Sequence, residues 1–86
     1  MANHASAKKR IRQTTKRTAR NRHIRTTVRS QVKRVRAAID AGDKDTAQTA
    51  LGKAISLIDR AVAKGIYHRR AGSRYISRLT ERVSAL

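Results

Sequence analysis

The chain has 86 residues, a formal net charge of +17, and no cysteine, proline or tryptophan. That length allows a single small domain, 1–86, which buries roughly 60% of its unfolded surface and is marginal alone. Zero cysteine excludes a disulfide framework and any thiolate metal site, and the unbalanced positive charge makes a polyanion the natural stabilising partner.

The first ten residues, MANHASAKKR, contain no apolar run of the kind a secretory signal needs. Their basic pattern continues into helical sequence, which argues against a transit peptide, so the expected location is the cytoplasm. No stretch is long and apolar enough to span a bilayer, and no membrane partner is expected. Residues 8–22, KKRIRQTTKRTARNR, follow with eight Lys or Arg, no acid, and Ile11 as the one large apolar side chain. On a helical wheel these basic residues point almost everywhere, so the segment has no core-facing side. Lys8–Arg12, Arg12–Lys16 and Lys16–Arg20 are like-charge pairs at i,i+4, each unfavourable by about 0.2–0.5 kcal/mol. Thr14, Thr15 and Thr18 are weak helix formers. The segment is therefore expected to fray in the free protein and to be ordered by its partner.

Periodicity changes at Ile24. Ile24, Val28, Val32, Val35 and Ile39 step by four, four, three and four and form one narrow stripe. Nothing breaks a helix between about 6 and 41, and Gly42 stops it as a residue suited to positive φ. Asp43 or Asp45 can cap the next helix, and Asp45 with Gln48 fits a capping box. Helix two is predicted over 44–63, with an apolar face of Ala47, Leu51, Ala54, Ile55, Ile58 and Val62. Gly65 ends it, with Lys64 well placed at the negative end of the helix dipole. Ile66 and Tyr67 are expected to fold back onto the bundle. Helix three is predicted over 68–85, with a stripe of Tyr75, Leu79, Val83 and Leu86 and Gly72 one turn earlier. Short loops imply antiparallel neighbours. The expected fold is all-α: a three-helix bundle whose long, basic first helix protrudes beyond the other two.

Chemistry-bearing constellations are few. His4, His23 and His68 have no ligand spacing, and Asp40, Asp43, Asp45, Asp59 and Glu81 are scattered or read as turn and cap residues. No phosphate loop or nucleophile motif is present, so no enzyme, metal, cofactor or small-molecule substrate is expected. The strong signal is the basic ridges. Arg25, Arg29, Lys33 and Arg36 line one side of helix one, and Arg70, Arg74, Arg78 and Arg82 repeat every fourth residue on helix three. An ordinary solvated face mixes Glu with Lys, and these faces have almost no Glu. Most of the basic residues are Arg, whose planar fork pairs phosphate bidentately and stacks on bases. Thr14, Thr15, Thr18, Asn21, Thr26 and Thr27 could add neutral phosphate donors. His68, at the start of helix three, could touch phosphate, stack on a base, or simply pack.

A helix that is basic all round fits a cleft between several phosphate backbones better than one face of a duplex, which favours folded RNA. The alternative is a histone-like DNA-compacting architectural protein. Wrapping proteins of that kind offer one continuous basic path or a symmetric dimer, and no homo-oligomer is expected here. The candidate RNA-binding residues are Lys8, Lys9, Arg10, Arg12, Lys16, Arg17, Arg20, Asn21, Arg22, Arg25, Arg29 and Lys33 in helix one. His68, Arg69, Arg70, Arg74 and Arg78 join them from helix three.

Three segments, MANHASAKKR, AAIDAGDKDTAQTAL and DRAVAKGIYHRRAGSR, together resemble the bS20 family of bacterial small-ribosomal-subunit proteins. The likeness covers nearly the whole chain in order and spacing. It implies a three-helix bundle with a long first helix, direct binding to 16S ribosomal RNA early in assembly of the 30S subunit, and no catalysis. The family's N-terminal Ser-Ala-Lys-Lys-Arg corresponds to Ser6 through Arg10, and its Lys-Gly-x-x-His turn to Lys64 through His68. This chain departs from the family's frequent Lys and Asn at Arg69 and Arg70, and from its frequent Ala at Gly72. Gly72 either weakens helix three by about 1 kcal/mol or permits close approach of RNA or of another helix.

Overall fold

Val28, Val32 and Val35 recur at the helical repeat and are all buried, Val35 completely. They mark the packed half of the first of three α-helices. The computed structural model describes residues 3–86 and contains, among them, α1 over Asn3–Asp40, α2 over Lys44–Ala63 and α3 over Arg69–Ser84, with no strand. The second helix has the predicted limits. The first begins earlier than residue 6 and ends at Asp40, and the third starts after His68 and stops at Ser84.

Both turns are built by glycine. Gly42 has φ 70° and Gly65 φ 75°, the left-handed region where a side chain is strained. At the first turn, Gly42 N–H donates to Ile39 O at 3.0 Å and Asp43 N–H to Ala38 O at 3.0 Å. At the second, Gly65 N–H donates to Val62 O at 2.9 Å and Ile66 N–H to Ala61 O at 2.9 Å. These are paired Schellman bonds, and the second pair turns Ile66 inward against the helix it has just left. Ile66 is buried and Tyr67 half-buried, as expected from the sequence.

Asp43, not Asp45, is the N-cap of α2. Its Oδ1 accepts from the Thr46 backbone N–H at 3.2 Å and its Oδ2 from the Thr46 hydroxyl at 2.6 Å. The turn is too short to leave Asp43 outside the helix entry, so the Asp45–Gln48 capping box does not form.

α2 is the middle element, and α1 and α3 pack chiefly on it rather than on each other. This two-sided position shifts its buried face from the predicted one. Ala47, Ala54 and Ile58 are buried as expected, but Ala50 and Ala61 are buried too, while Leu51, Ile55 and Val62 are only half-buried. A face made mainly of alanine lets the neighbouring backbones come close. Gln31, itself buried, uses that closeness to donate from Nε2 to the Ala50 carbonyl at 3.0 Å.

On α3 the buried line is Gly72, Leu79 and Val83, with Ile76 partly buried beside it. Tyr75 is 39% exposed and Leu86 36% exposed, against expectation. The repeat that faces the core runs 72, 76, 79, 83, which puts Tyr75 on its flank, and Leu86 lies past the helix end. Gly72 sits where α2 and α3 meet. A Cβ built there would lie 2.5 Å from Val62 Cγ2 and 3.4 Å from Ile58 Cγ2. Close approach of another helix is therefore what this glycine permits.

The 38 residues of α1 make it nearly twice as long as α2, with its 20. Every residue from 4 to 20 is exposed, and burial begins at Asn21. At a rise of about 1.5 Å per residue, that leaves roughly 25 Å of helix standing clear of the bundle, in a molecule 63 Å long and 21 × 14 Å across. The line that faces the bundle can be followed along the whole helix in steps of three and four. It reads Ala38, Val35, Gln31, Val28, Ile24, Asn21, then Arg17, Thr14 and Arg10. Asn21 is the junction at which an apolar seam becomes a basic one. The projecting arm is helical in the structure, where its composition alone suggests fraying. It extends an existing packed helix, so each added turn avoids the cost of nucleation.

Candidate nucleic-acid interface

Every lysine and arginine in the chain is exposed. Among the described residues there is one ion pair, Arg82 Nη2 to Asp40 Oδ1 at 3.9 Å, with side chains 49% and 77% exposed. So long and wet a pair adds little to stability. The other basic groups are left facing solvent without a carboxylate partner, which is unfavourable for the isolated fold and suited to a polyanion.

Many of these groups fall into three surfaces. The first is the arm, which carries Lys8, Lys9, Arg10, Arg12, Lys16, Arg17 and Arg20 around its whole circumference, with no acid. The second begins at the junction, where Thr18, Asn21, Arg22, Arg25, Thr26 and Arg29 line a shallow groove along α1. Lys33 is exposed further along the same helix and does not reach this groove. Asn21 is half-buried, and its Oδ1 is shielded without any hydrogen-bond partner. Of the threonines read as possible phosphate donors, three are already engaged. Thr15 donates to Ile11 O, Thr26 to Arg22 O and Thr27 to His23 O, each at 2.9 Å. Their hydroxyl protons serve the helix, whereas no such bond engages Thr14 or Thr18.

The third surface is a groove between α1 and α3. Arg36 comes from α1, and Arg74, Tyr75, Arg78 and Arg82 come from α3, over a floor that includes Ala71 and Leu79. Arg74 and Arg78 were among the sequence candidates. Arg36 and Arg82 were visible only as members of two separate ridges, and no periodicity on either helix shows that the ridges meet. The fold divides the α1 ridge: Arg25 and Arg29 look into the junction groove, and Arg36 looks into this one.

His68 has a local task. It is the N-cap of α3, with Nδ1 accepting from Arg70 N–H at 3.1 Å. That bond sets the start of the helix from which exposed Arg69 and Arg70 project. The imidazole thus acts first as a cap, and one ring nitrogen is committed to the backbone.

No helix among the described residues is long and apolar enough to cross a membrane. The family model for Ribosomal protein S20 matches residues 2–84. The small ribosomal subunit protein bS20 of Geotalea uraniireducens is 56% identical over 86 residues, spanning 100% of this chain and 99% of the relative. The bS20 of Geotalea daltonii is 55% identical with the same coverage, and that of Geobacter sulfurreducens 50% identical, also with the same coverage. The chain belongs to the ribosomal protein S20 family: it is a structural constituent of the small ribosomal subunit, cytoplasmic in the ribosome, and not an enzyme.

Proposed function

We propose that the chain binds 16S ribosomal RNA directly, as one helical unit in single copy, and stabilises the folding of that RNA while the small subunit assembles. One observation carries the reading: residues 4–20 form a fully exposed helix with basic side chains on every side and no acid. A surface of that kind fits between phosphate backbones that approach from several directions, which folded RNA supplies. Lys8, Lys9, Arg10, Arg12, Lys16, Arg17 and Arg20 neutralise phosphates there. Arg22, Arg25 and Arg29 continue the contact along the junction groove, and Arg69, Arg70, Arg74 and Arg78 add a second front from α3. Recognition is mostly of RNA shape, because phosphate contacts position without reading sequence. RNA that binds the folded chain and not the unfolded one also stabilises the bundle through linkage.

Competition binding tests this. At moderate salt, folded 16S ribosomal RNA should displace duplex DNA from the chain. With six to ten phosphates contacted, affinity should fall by about 10³–10⁵ between low and moderate salt. Preference for duplex DNA would overturn the reading in favour of a DNA-compacting role.

A further inference from the structure

We propose that the groove between α1 and α3 docks an unpaired nucleotide of RNA, its base against Tyr75 and its flanking phosphates against Arg36, Arg74 and Arg78. The proposal rests on the RNA-binding reading above and adds to it a base contact and a place for that contact.

The arm shows what a surface for phosphate alone looks like. Over residues 4–20 it has no Phe, Tyr or Trp, and Ile11 is its one large apolar side chain. The α1–α3 groove is built differently. Its basic residues stand around an apolar floor that includes Ala71 and Leu79, and an aromatic ring forms part of its lining. Tyr75 is 39% exposed, one of three large apolar side chains left at the surface. The ring is braced from behind the groove. Tyr67, half-buried against the core, lies with its ring centroid 6.4 Å away and tilted by 55°. A ring held this way loses little freedom when a planar ligand settles on it.

Charge decides the chemistry of that ligand. Asp40 is the one carboxylate paired with a groove arginine, and it stands at the Arg82 end, at 3.9 Å. Arg36, Arg74 and Arg78 keep their full charge beside Tyr75, so the ligand is planar and apolar in one part and multiply anionic in the rest. A nucleotide within a phosphodiester chain has both parts. A paired base is unavailable, because its faces are stacked within the helix, whereas unpaired RNA bases splay out and stack on aromatic side chains. One exposed ring serves one base.

The test compares two labelled single strands of about ten units, a length within the usual site sizes of single-strand binders. One is oligoriboadenylate; the other is built from abasic spacers and keeps every phosphate. Fluorescence anisotropy with the full chain should show the base-bearing strand binding on the order of tenfold more tightly, since stacking on an aromatic ring is worth that much and tolerates any base. Tyr75→Phe should keep the preference and Tyr75→Leu should abolish it, with circular dichroism confirming that both variants remain helical. Equal binding of the two strands would overturn the base site and leave phosphate binding standing. A preference that survives Tyr75→Leu would also overturn it. Failure of the base-bearing strand to bind would overturn the site, and failure of 16S ribosomal RNA to bind in the same assay would remove the RNA-binding reading as well.

Discussion

The two halves of α1 share one continuous backbone and opposite purposes. From Ile24 to Ile39 the helix presents Val28, Val32, Val35 and Ala38 to the bundle, all buried. From residue 4 to 20 the same turns, at the same pitch, leave every residue exposed, Ile11 included. A helix needs no internal change to switch from core element to ligand surface. It needs only that the side chains on the line facing its partner change from Ile and Val to Arg and Thr, with Asn21 between them. The two halves should also answer differently to mutation. Damage to the bundle should appear as lost stability, and damage to the arm as lost binding.

The largest expected effect is on the bundle side. Ile58 is 1% exposed in the middle helix. Ile58→Ala should destabilise the fold by about 2–5 kcal/mol through lost burial and the cavity left behind, a large share of the stability of a chain this small. Thermal unfolding followed by circular dichroism reads this directly. Leu51→Ala, at a half-buried position, should be milder. The arm gives the converse. Arg12, Lys16 and Arg20 changed together to Ala should leave the unfolding temperature of the bundle in place. In a salt titration of 16S ribosomal RNA binding, the slope should fall by about 1 for each residue that contacts phosphate. If the triple variant unfolds the bundle, the division between arm and bundle is wrong.

The division was legible in the sequence because it rests on local periodicity, and so did the three helices. The limits of α2, the turns at Gly42 and Gly65, and the inward fold of Ile66 all follow from short-range rules of helix ending. What depended on tertiary approach was not legible. Gln31 reads as a polar residue on a basic helix, yet it is buried because α2 turns an alanine face towards it. Tyr75 reads as core and stands at the surface, because the α3 repeat that meets α2 passes one residue to its side. The α1–α3 groove needs Arg36 and Arg74 on one surface, and nothing in either helix says that they share one. Thr15, Thr26 and Thr27 looked free to donate, and only the folded backbone shows their hydroxyls bonded to carbonyls one turn back.

A smaller effect comes from the contact that holds α3 to the bundle. Gly72→Ala gains about 1 kcal/mol of helix propensity but sets a methyl 2.5 Å from Val62 Cγ2. Valine in a helix has one strongly preferred rotamer, so Val62 cannot step aside cheaply. Overpacking of this kind is unfavourable by about 1–3 kcal/mol, so the net change should be a modest loss of stability. Val62→Ala in the same chain should recover much of it. Stabilisation by Gly72→Ala alone would show that α3 shifts freely on α2, and the bundle half would then be less rigid than its packing suggests.

The smallest expected effect lies in the turn between α1 and α2, and it depends on pH. The Thr46 hydroxyl, and after it the Thr46 backbone N–H, holds the Asp43 carboxyl below the ordinary aspartate range. A carboxylate favoured in the folded state contributes stability that is fully present above its unfolded pKa and is lost as pH falls through its lower, folded value. The stability difference between the parent chain and Asp43→Ala should therefore be constant from neutral pH down to about 5 and should shrink only below about 4, where free aspartate protonates. The other acids titrate in both chains, so the difference isolates the cap. Unfolding temperatures measured across that range should differ by a few degrees at neutral pH and converge in acid. The arm contains no acid at all, so this acid response belongs to the bundle half alone. A difference that does not change with pH would mean that the cap works through the backbone path of the turn rather than through the carboxylate.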